Sequence, residues 1–288
     1  MGRAKSVFIG LLPMLMLGQL GLAVARMVRD GPGAMWLAVA AQAVIVAGFF
    51  AVLMAVRRWA RVSGAMVWLT AAVGGLGAAT VVAGWGDVSG DGLGDGVLAA
   101  GSGASTFALW LAYVFWYSRL DREESALLTV GQKLPAFDLR EVDGTIVPSA
   151  SFEGRSTLLM FYRGNWCPLC MAQIKEIAAG YRELADRGVE VVLVSPQSEA
   201  HTESLAARFD APFRFLVDRD RAAAKKLKIA APGGTPMGMQ VFGYEWDTVL
   251  PTVVITDAEG TILFADQTDN YRHRPEPETF LRVLDDAE

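Results

Sequence analysis

Up to Leu120 the chain is built from long apolar stretches, and beyond it apolar residues come in short runs separated by polar ones. Four stretches, Val7 to Ala25, Ala34 to Val56, Ala65 to Trp85 and Val97 to Tyr117, contain no Asp, Glu, Lys, Arg, His or Cys. Each has roughly the 17 to 25 mostly apolar residues that a helix needs to cross a bilayer, so four transmembrane helices are predicted. The links between them carry Gly, Pro and charge: Arg29-Asp30-Gly31-Pro32-Gly33, Arg57-Arg58-Trp59-Ala60-Arg61, and a loop with Asp87, Asp91 and Asp95. After Leu120 the period changes. Leu120 to Lys133 reads as a polar, helix-prone connector, followed by short β-branched or aromatic runs at Leu158 to Tyr162, Val189 to Val194, Phe213 to Val217, Val253 to Ile255 and Ile262 to Phe264. Helical patterns lie between and after them, at Pro168 to Arg187, Ser198 to Phe209, Arg221 to Leu227 and Glu276 to Asp286. Strands alternating with helices predict an α/β domain with one central sheet. The expected organisation is an α-helical transmembrane bundle over residues 1–120, a connector over 121–132, and a redox domain over 133–288.

Composition sharpens this division. The 288 residues are 52% hydrophobic and only 20% charged, with a mean hydropathy of +0.31, too apolar for an ordinary soluble protein. The formal charge is +4 up to Leu120 and −9 beyond it, within a total of −5. An acidic second half argues against nucleic-acid binding. Trp36, Trp59, Trp68, Trp85, Trp110, Trp116, Tyr113 and Tyr117 fall mostly near span ends, as an interfacial aromatic belt would. Gly74, Gly75 and Gly77 give the third span a small-residue face for close helix packing. Cytoplasmic flanks are enriched in Lys and Arg. An N-terminus inside collects Arg3, Lys5, Arg57, Arg58, Arg61, Arg119 and Arg122 on one side, against Arg26 and Arg29 on the other. A multi-pass protein of a bacterial-type inner membrane with a cytoplasmic redox domain is expected. In the alternative, Val7 to Leu22 is a signal-peptide core cleaved after Ala23-Val24-Ala25, and the second half still ends in the cytoplasm.

Both cysteines of the chain fall in Arg163-Gly164-Asn165-Trp166-Cys167-Pro168-Leu169-Cys170, between the end of an apolar run and the start of a helical pattern. Cys167 is placed at the helix N-terminus, with Pro168 in the first turn where a missing N–H is harmless. The positive end of the helix dipole favours thiolate, which makes Cys167 the expected nucleophile. Cys170, three residues on, is the expected resolving thiol, able to attack a mixed disulfide or a sulfenic acid on Cys167. Half of a zinc site is a competing reading, with His201 and His273 as the other ligands, but neither has a partner at ligand spacing. Two inert packed thiols are the other competitor. A redox dithiol without metal or cofactor is preferred.

From about Val130 to the end, the chain resembles the peroxiredoxin-like (AhpC/TSA) branch of the thioredoxin superfamily. The resemblance rests on Val130-Gly131-Gln132-Lys133-Leu134-Pro135-Ala136-Phe137, the turn Asp143-Gly144, the Phe161 to Cys170 segment, Phe215-Leu216-Val217-Asp218, and Leu250-Pro251-Thr252-Val253-Val254-Ile255. It implies a thioredoxin-like fold in which Pro251 matches the position of a cis-proline beside the cysteines. Trp166, Pro251 and Thr252, with Arg163, are the expected substrate-positioning residues. Members that reduce peroxides carry a proline seven before the cysteine, a threonine or serine three before it, and an arginine ahead of the late strand. Here Met160, Gly164 and Leu250 stand at those positions. Arg163 is the candidate substitute, with a solvated loop arginine as the other reading. Gly233 to Asp247 reads either as a lid over the cysteines or as a surface loop, and Asp266 to Pro277 as a clamp on the last helix or part of the site.

Two activities follow as expectations. The first is thiol-disulfide exchange on an oxidised thiol. The second is a thiol peroxidase acting on hydrogen or lipid hydroperoxides. Either needs a thioredoxin-like or low-molecular-weight thiol as reductant, and either uses the lipid bilayer as a platform. A transporter with a regulatory redox domain is a third reading, and it is disfavoured because Gln19 and Gln42 are the only long polar side chains in the spans.

Overall fold

The computed structural model describes residues 2–55, 66–87 and 93–287. The chain forms two compact units, Val7–Ser118 and the combination of Met1–Ser6 with Arg119–Glu288. Trp59, Arg57, Arg58, Arg61 and Asp91, used above for belt, loop and orientation, lie outside the described residues.

The first unit holds helices α1 (Arg3–Asp30), α2 (Ala34–Ala55), α3 (Val67–Asp87) and α4 (Leu93–Leu111). The last continues through one π-helical turn, Ala112–Tyr117. All four are long and apolar enough to cross a membrane, with mean hydropathies of 2.1, 2.4, 1.6 and 1.5 over their best windows. α1 runs past its uncharged stretch at both ends, taking in Arg3 and Lys5 before it and Arg26, Arg29 and Asp30 after it. Small residues bring α3 and α4 together. An ideal Cβ on Gly84 would lie 2.4 Å from the Gly96 carbonyl oxygen, and one on Gly103 would lie 1.8 Å from Thr80 Oγ1. Gln42 is buried and its amide donates to the carbonyls of Val73 (2.9 Å) and Gly103 (3.1 Å), joining α2 to α3 and α4. The belt expectation fails at Trp110 and Tyr113, which are fully buried. They pack edge-on against Phe49 at 5.3 and 5.7 Å, and Trp110 Nε1 donates to Thr70 Oγ1 at 3.0 Å. An aromatic ring that finds partners inside the bundle leaves the interface, whereas Trp68 and Trp85 stay exposed.

The second unit is built on a seven-stranded mixed sheet of order β2-β1-β5-β4-β3-β8-β9. Its strands are β1 (Asp138–Arg140), β2 (Ile146–Pro148), β3 (Thr157–Phe161), β4 (Glu190–Ser195), β5 (Arg214–Val217), β8 (Thr252–Thr256) and β9 (Ile262–Asp266). A separate pair, β6 (Ala230–Ala231) and β7 (Thr248–Val249), closes the stem of the Gly-rich segment. β3 and β8 are buried along their whole length, which is why they read as continuous apolar runs without alternation. The helices are α5 (Pro168–Ala179), α6 (Tyr181–Asp186), α7 (Glu199–Ala206), α8 (Ala222–Lys226) and α9 (Pro277–Asp285). The single helix predicted from Pro168 to Arg187 is divided at Gly180, the poorest helix former after proline. Leu120 to Lys133 forms no helix. Leu120 and Leu128 are buried, Leu120 N–H donates to the Asp269 carbonyl at 2.8 Å, and Gln267 bonds Ser125. Tertiary burial of two leucines outweighs the local helix preference of a polar segment.

The glycine contacts of the bundle give a direct test. Gly84→Ala is expected to lower the unfolding free energy of the full chain by about 1–3 kcal/mol, as overpacking against backbone does. Gly75→Ala, with open space around the added methyl, is expected to leave it unchanged. Unfolding in mixed detergent micelles, followed by circular dichroism, compares the two.

Candidate active site

The site is built where β3 ends. β3 and β4 run parallel in register, with Phe161 opposite Val194, so the segments that leave them, 162–167 and 196–198, lie side by side. Residues leaving the carboxyl ends of parallel strands commonly form ligand sites. Cys167 adopts an extended conformation and caps α5, with Pro168 at the first helical position. Its sulfur accepts from Cys170 N–H at 3.4 Å and from the Cys170 thiol at 2.8 Å. Both thiols are free and buried, at 1% and 0% exposure.

Burial by itself raises a thiol pKa. At Cys167 the two Cys170 bonds and the charges of Arg163 and Arg274 outweigh burial and lower the value to about 6. Cys170, equally buried and facing the Cys167 sulfur, is pushed up. The pair is thus split into a thiolate nucleophile and a protonated partner, at a sulfur separation that a small rotation closes to a disulfide bond.

Arg163 is not a solvated loop arginine. Its side chain is buried, its guanidinium lies 4.6 Å from the centre of the Trp166 ring, and it donates to the Gly234 carbonyl. Thr248 Oγ1 donates to the Arg163 carbonyl at 2.8 Å. The stem of the Gly233 to Asp247 segment therefore braces this arginine. Gly164 has φ +144°, and a Cβ there would meet Trp166 Nε1 at 2.8 Å, so glycine is required for the indole to take its place.

The expected cis peptide at Pro251 is overturned, since the described residues contain no cis bond. Leu250 N–H is bonded to the Ile229 carbonyl at 2.7 Å, and β7 and β8 flank the proline on both sides. The Pro251 carbonyl accepts from Arg122 at 3.0 Å and Arg274 at 3.5 Å, while Thr252 Oγ1 donates to the Leu250 carbonyl and accepts from Arg122. Thr252 pairs with Phe161 across the sheet. These contacts tie Pro251 and Thr252 to Arg122 and Arg274.

Three contributors were missed from the sequence. Arg122 was read only as a flanking charge. Arg274 lay in the Asp266 to Pro277 segment without a role of its own. Gln197 is buried, accepts from Asn165 N–H at 2.9 Å, and donates to the Tyr162 hydroxyl (3.1 Å) and Asn165 Oδ1 (3.0 Å), holding the loop that leads to Cys167. Its only signal is its place just after β4, two residues beyond the strand that neighbours the cysteine-bearing one.

A buried dithiol capping a helix that follows a central strand defines a thiol-dependent redox domain of thioredoxin-like fold. Residues 130–265 match the AhpC/TSA family. A Mycobacterium tuberculosis protein named as a peroxiredoxin is 30% identical over 141 residues, which are 48% of this chain and 84% of that protein. Peroxiredoxin Q, chloroplastic, of Populus jackii is 27% identical over 118 residues, 41% of this chain and 55% of its own length. Among solved structures, Mycobacterium tuberculosis AhpC is 20% identical, with a TM-score of 0.44 over 56% of this chain and 93% of its own. The chain belongs to the AhpC/TSA family through its second half. It is an enzyme of the thiol peroxidase and oxidoreductase class.

Alkylation of Cys167 by iodoacetamide, followed by peptide mass spectrometry across pH, is expected to rise with a midpoint near about 6, while Cys170 stays unmodified there. Arg163→Gln removes a positive charge beside the thiolate and is expected to move the midpoint upward. A midpoint that does not move would take Arg163 out of the account of thiol acidity.

Proposed function

We propose that the chain is a membrane-anchored two-cysteine thiol peroxidase with an antioxidant role. The observation that carries this reading is the burial of Cys167, at 1% exposure, against Cys170, with the charges of Arg163 and Arg274 favouring its ionised form. A thiol that attacks a protein disulfide has to present its sulfur in line with another protein's sulfur. A sulfur this enclosed admits a small terminal group such as –OOH instead. The sequence favoured disulfide exchange first, and the enclosure of the Cys167 sulfur is what supports the peroxidase reading ahead of it.

In the proposed cycle the Cys167 thiolate attacks the terminal oxygen of a hydroperoxide. The O–O bond breaks, the sulfur is oxidised to the sulfenic acid, and the alkoxide leaves and takes up a proton as the alcohol or water. Cys170 then attacks that sulfenic sulfur, so that an S–S bond forms and water leaves. A thioredoxin-like or low-molecular-weight dithiol reduces the Cys167–Cys170 disulfide and is itself oxidised. Arg163 and Arg274 supply positive charge where the family's usual donors are replaced by Met160, Gly164 and Leu250, and preorganised charge of this kind stabilises the charge that develops as the O–O bond breaks. Trp166 fixes Arg163, Gln197 fixes the loop, and Pro251 and Thr252 act through the arginines they hold.

The four apolar helices are the anchor, with the redox domain on the cytoplasmic side. The Lys and Arg count supports this orientation, with Arg3, Lys5, Arg57, Arg58, Arg61, Arg119 and Arg122 on the proposed cytoplasmic side against Arg26 and Arg29 on the other.

The full chain in detergent, given hydrogen peroxide, a lipid hydroperoxide and a protein disulfide, is expected to turn over at least one peroxide and to lose that activity in Cys167→Ser. Cys170→Ser is expected to stop after one turnover with a sulfenic acid that dimedone traps. Turnover of the disulfide alone would return the assignment to thiol-disulfide exchange.

A further inference from the structure

The exposed large apolar side chains of the redox domain are concentrated on one loop. Val241, Phe242 and Trp246 are 86%, 67% and 40% exposed, while Val130 and Ile146 stand apart from them. The loop runs from β6 to β7, whose pairing of Ala230 with Val249 and Ala231 with Thr248 fixes its stem. Its tip is a short 3-10 turn, Met239–Phe242, bracketed by Gly238 and Gly243 at φ +97° and +84°, conformations that glycine adopts without strain. The stem is further tied by Thr235 N–H to the Trp246 carbonyl at 3.0 Å and by Gly233 N–H to Asp247 Oδ1 at 2.8 Å. The loop's two acids are neutralised, Glu245 by Arg221 (2.7 Å) and Arg219 (3.4 Å), and Asp247 by Arg221 (3.9 Å). An apolar tip with balanced charge behind it is compatible with a lipid surface, including an anionic one.

Chain connectivity says which surface is within reach. Within the compact unit that contains the redox domain, Met237 N–H donates to the Ser6 carbonyl at 3.0 Å and the Ser6 hydroxyl donates to the Gly233 carbonyl. Val7, the next residue, opens the first apolar stretch. At the other junction only Ser118 and Arg119 separate Tyr117, the end of the fourth apolar helix, from Leu120, which is bonded to Asp269 of the domain. A loop whose base is bonded to Ser6, one residue before an apolar stretch of membrane-spanning length, is tethered by that bond within a few residues of any bilayer the stretch enters.

We propose that the 237–246 loop inserts Val241 and Phe242 into the headgroup–acyl boundary of the bilayer, with Trp246 at headgroup depth. This rests on the membrane-anchored part of the function proposed above and is independent of which oxidant the cysteines reduce. The same loop's base holds Arg163 through the Gly234 carbonyl and Thr248. Membrane contact and the charge beside Cys167 are thus carried by one element.

The test uses the full chain with Cys167→Ser and Cys170→Ser, reconstituted in phosphatidylcholine vesicles, with a single labelling cysteine introduced as Val241→Cys, Phe242→Cys or Ile146→Cys and an environment-sensitive fluorophore attached. Lipids carrying a nitroxide near the headgroup are expected to quench the labels at 241 and 242 several-fold more than the label at 146. An alkaline carbonate wash followed by flotation reads the anchoring separately. Release of the chain by the wash overturns the anchoring and this inference with it. Retention with labels at 241 and 242 quenched no more than the label at 146 overturns this inference alone.

Discussion

The Cys167 sulfur accepts two bonds from Cys170, one from its N–H and one from its thiol, and that pairing exists only where a strand stops and a helix starts. The first helical N–H groups have no intrahelical partner, so a sulfur at the N-cap takes the place that a Ser or Asp oxygen usually fills. Capping by sulfur is weak when the sulfur is a thiol and stronger when it is a thiolate. The helix therefore stabilises the ionised nucleophile, and the ionised nucleophile stabilises the helix start. β3 has to deliver the chain to this point, which its complete burial and its parallel register with β4 accomplish.

A buried thiolate needs buried positive charge, and a buried cation is costly unless its donors are satisfied. Arg163 meets that requirement with the Gly234 carbonyl and the face of Trp166, and Arg274 contacts the Pro251 carbonyl. This explains features that look unrelated along the chain. Gly164 is needed to admit the indole, Thr248 holds the Arg163 backbone, and the trans Pro251 offers its carbonyl to arginines. Burial of Arg122, which lowers its pKa to about 10 despite nearby acids, belongs to the same arrangement, because its donors go to Pro251 and Thr252.

The parts legible in the sequence were those with a local cause. Four uncharged apolar runs can be satisfied as membrane-length helices, and Cys-Pro-Leu-Cys after an apolar run fixes a nucleophile at a helix start. What escaped has a non-local cause. The strands β1 and β2 are three residues each and owe their existence to pairing across the Asp143-Gly144 turn. Trp110 and Tyr113 sit near a span end in sequence but face Phe49 on another helix. Gln197 reaches the cysteine loop only through sheet order, and Arg274 and Arg122 meet at the Pro251 carbonyl from segments far apart in the chain. The proline was misjudged for a related reason. Its isomer is decided by the hydrogen bonds of Leu250 and the strands around it, which no single motif displays.

The four-helix unit is larger than the proposed tether requires, and its polar groups lie at contacts between its helices. In a bilayer, amide and hydroxyl groups join helices because hydrocarbon offers them no other partner. Gln42 is spent on two backbone carbonyls of neighbouring helices, and Gln19 donates to Ser105 at 3.0 Å. The four apolar stretches carry no Asp, Glu, Lys, Arg or His, the side chains from which a proton or ion path is usually made. Glycines at the α3–α4 contact add rigidity in the same sense, since close backbone approach leaves little room for sliding. A domain whose nucleophile is enclosed does not carry its sulfur out to a substrate. The substrate must then come to the sulfur, and the elements free to govern its approach are the loops of the redox domain, foremost the one that braces Arg163.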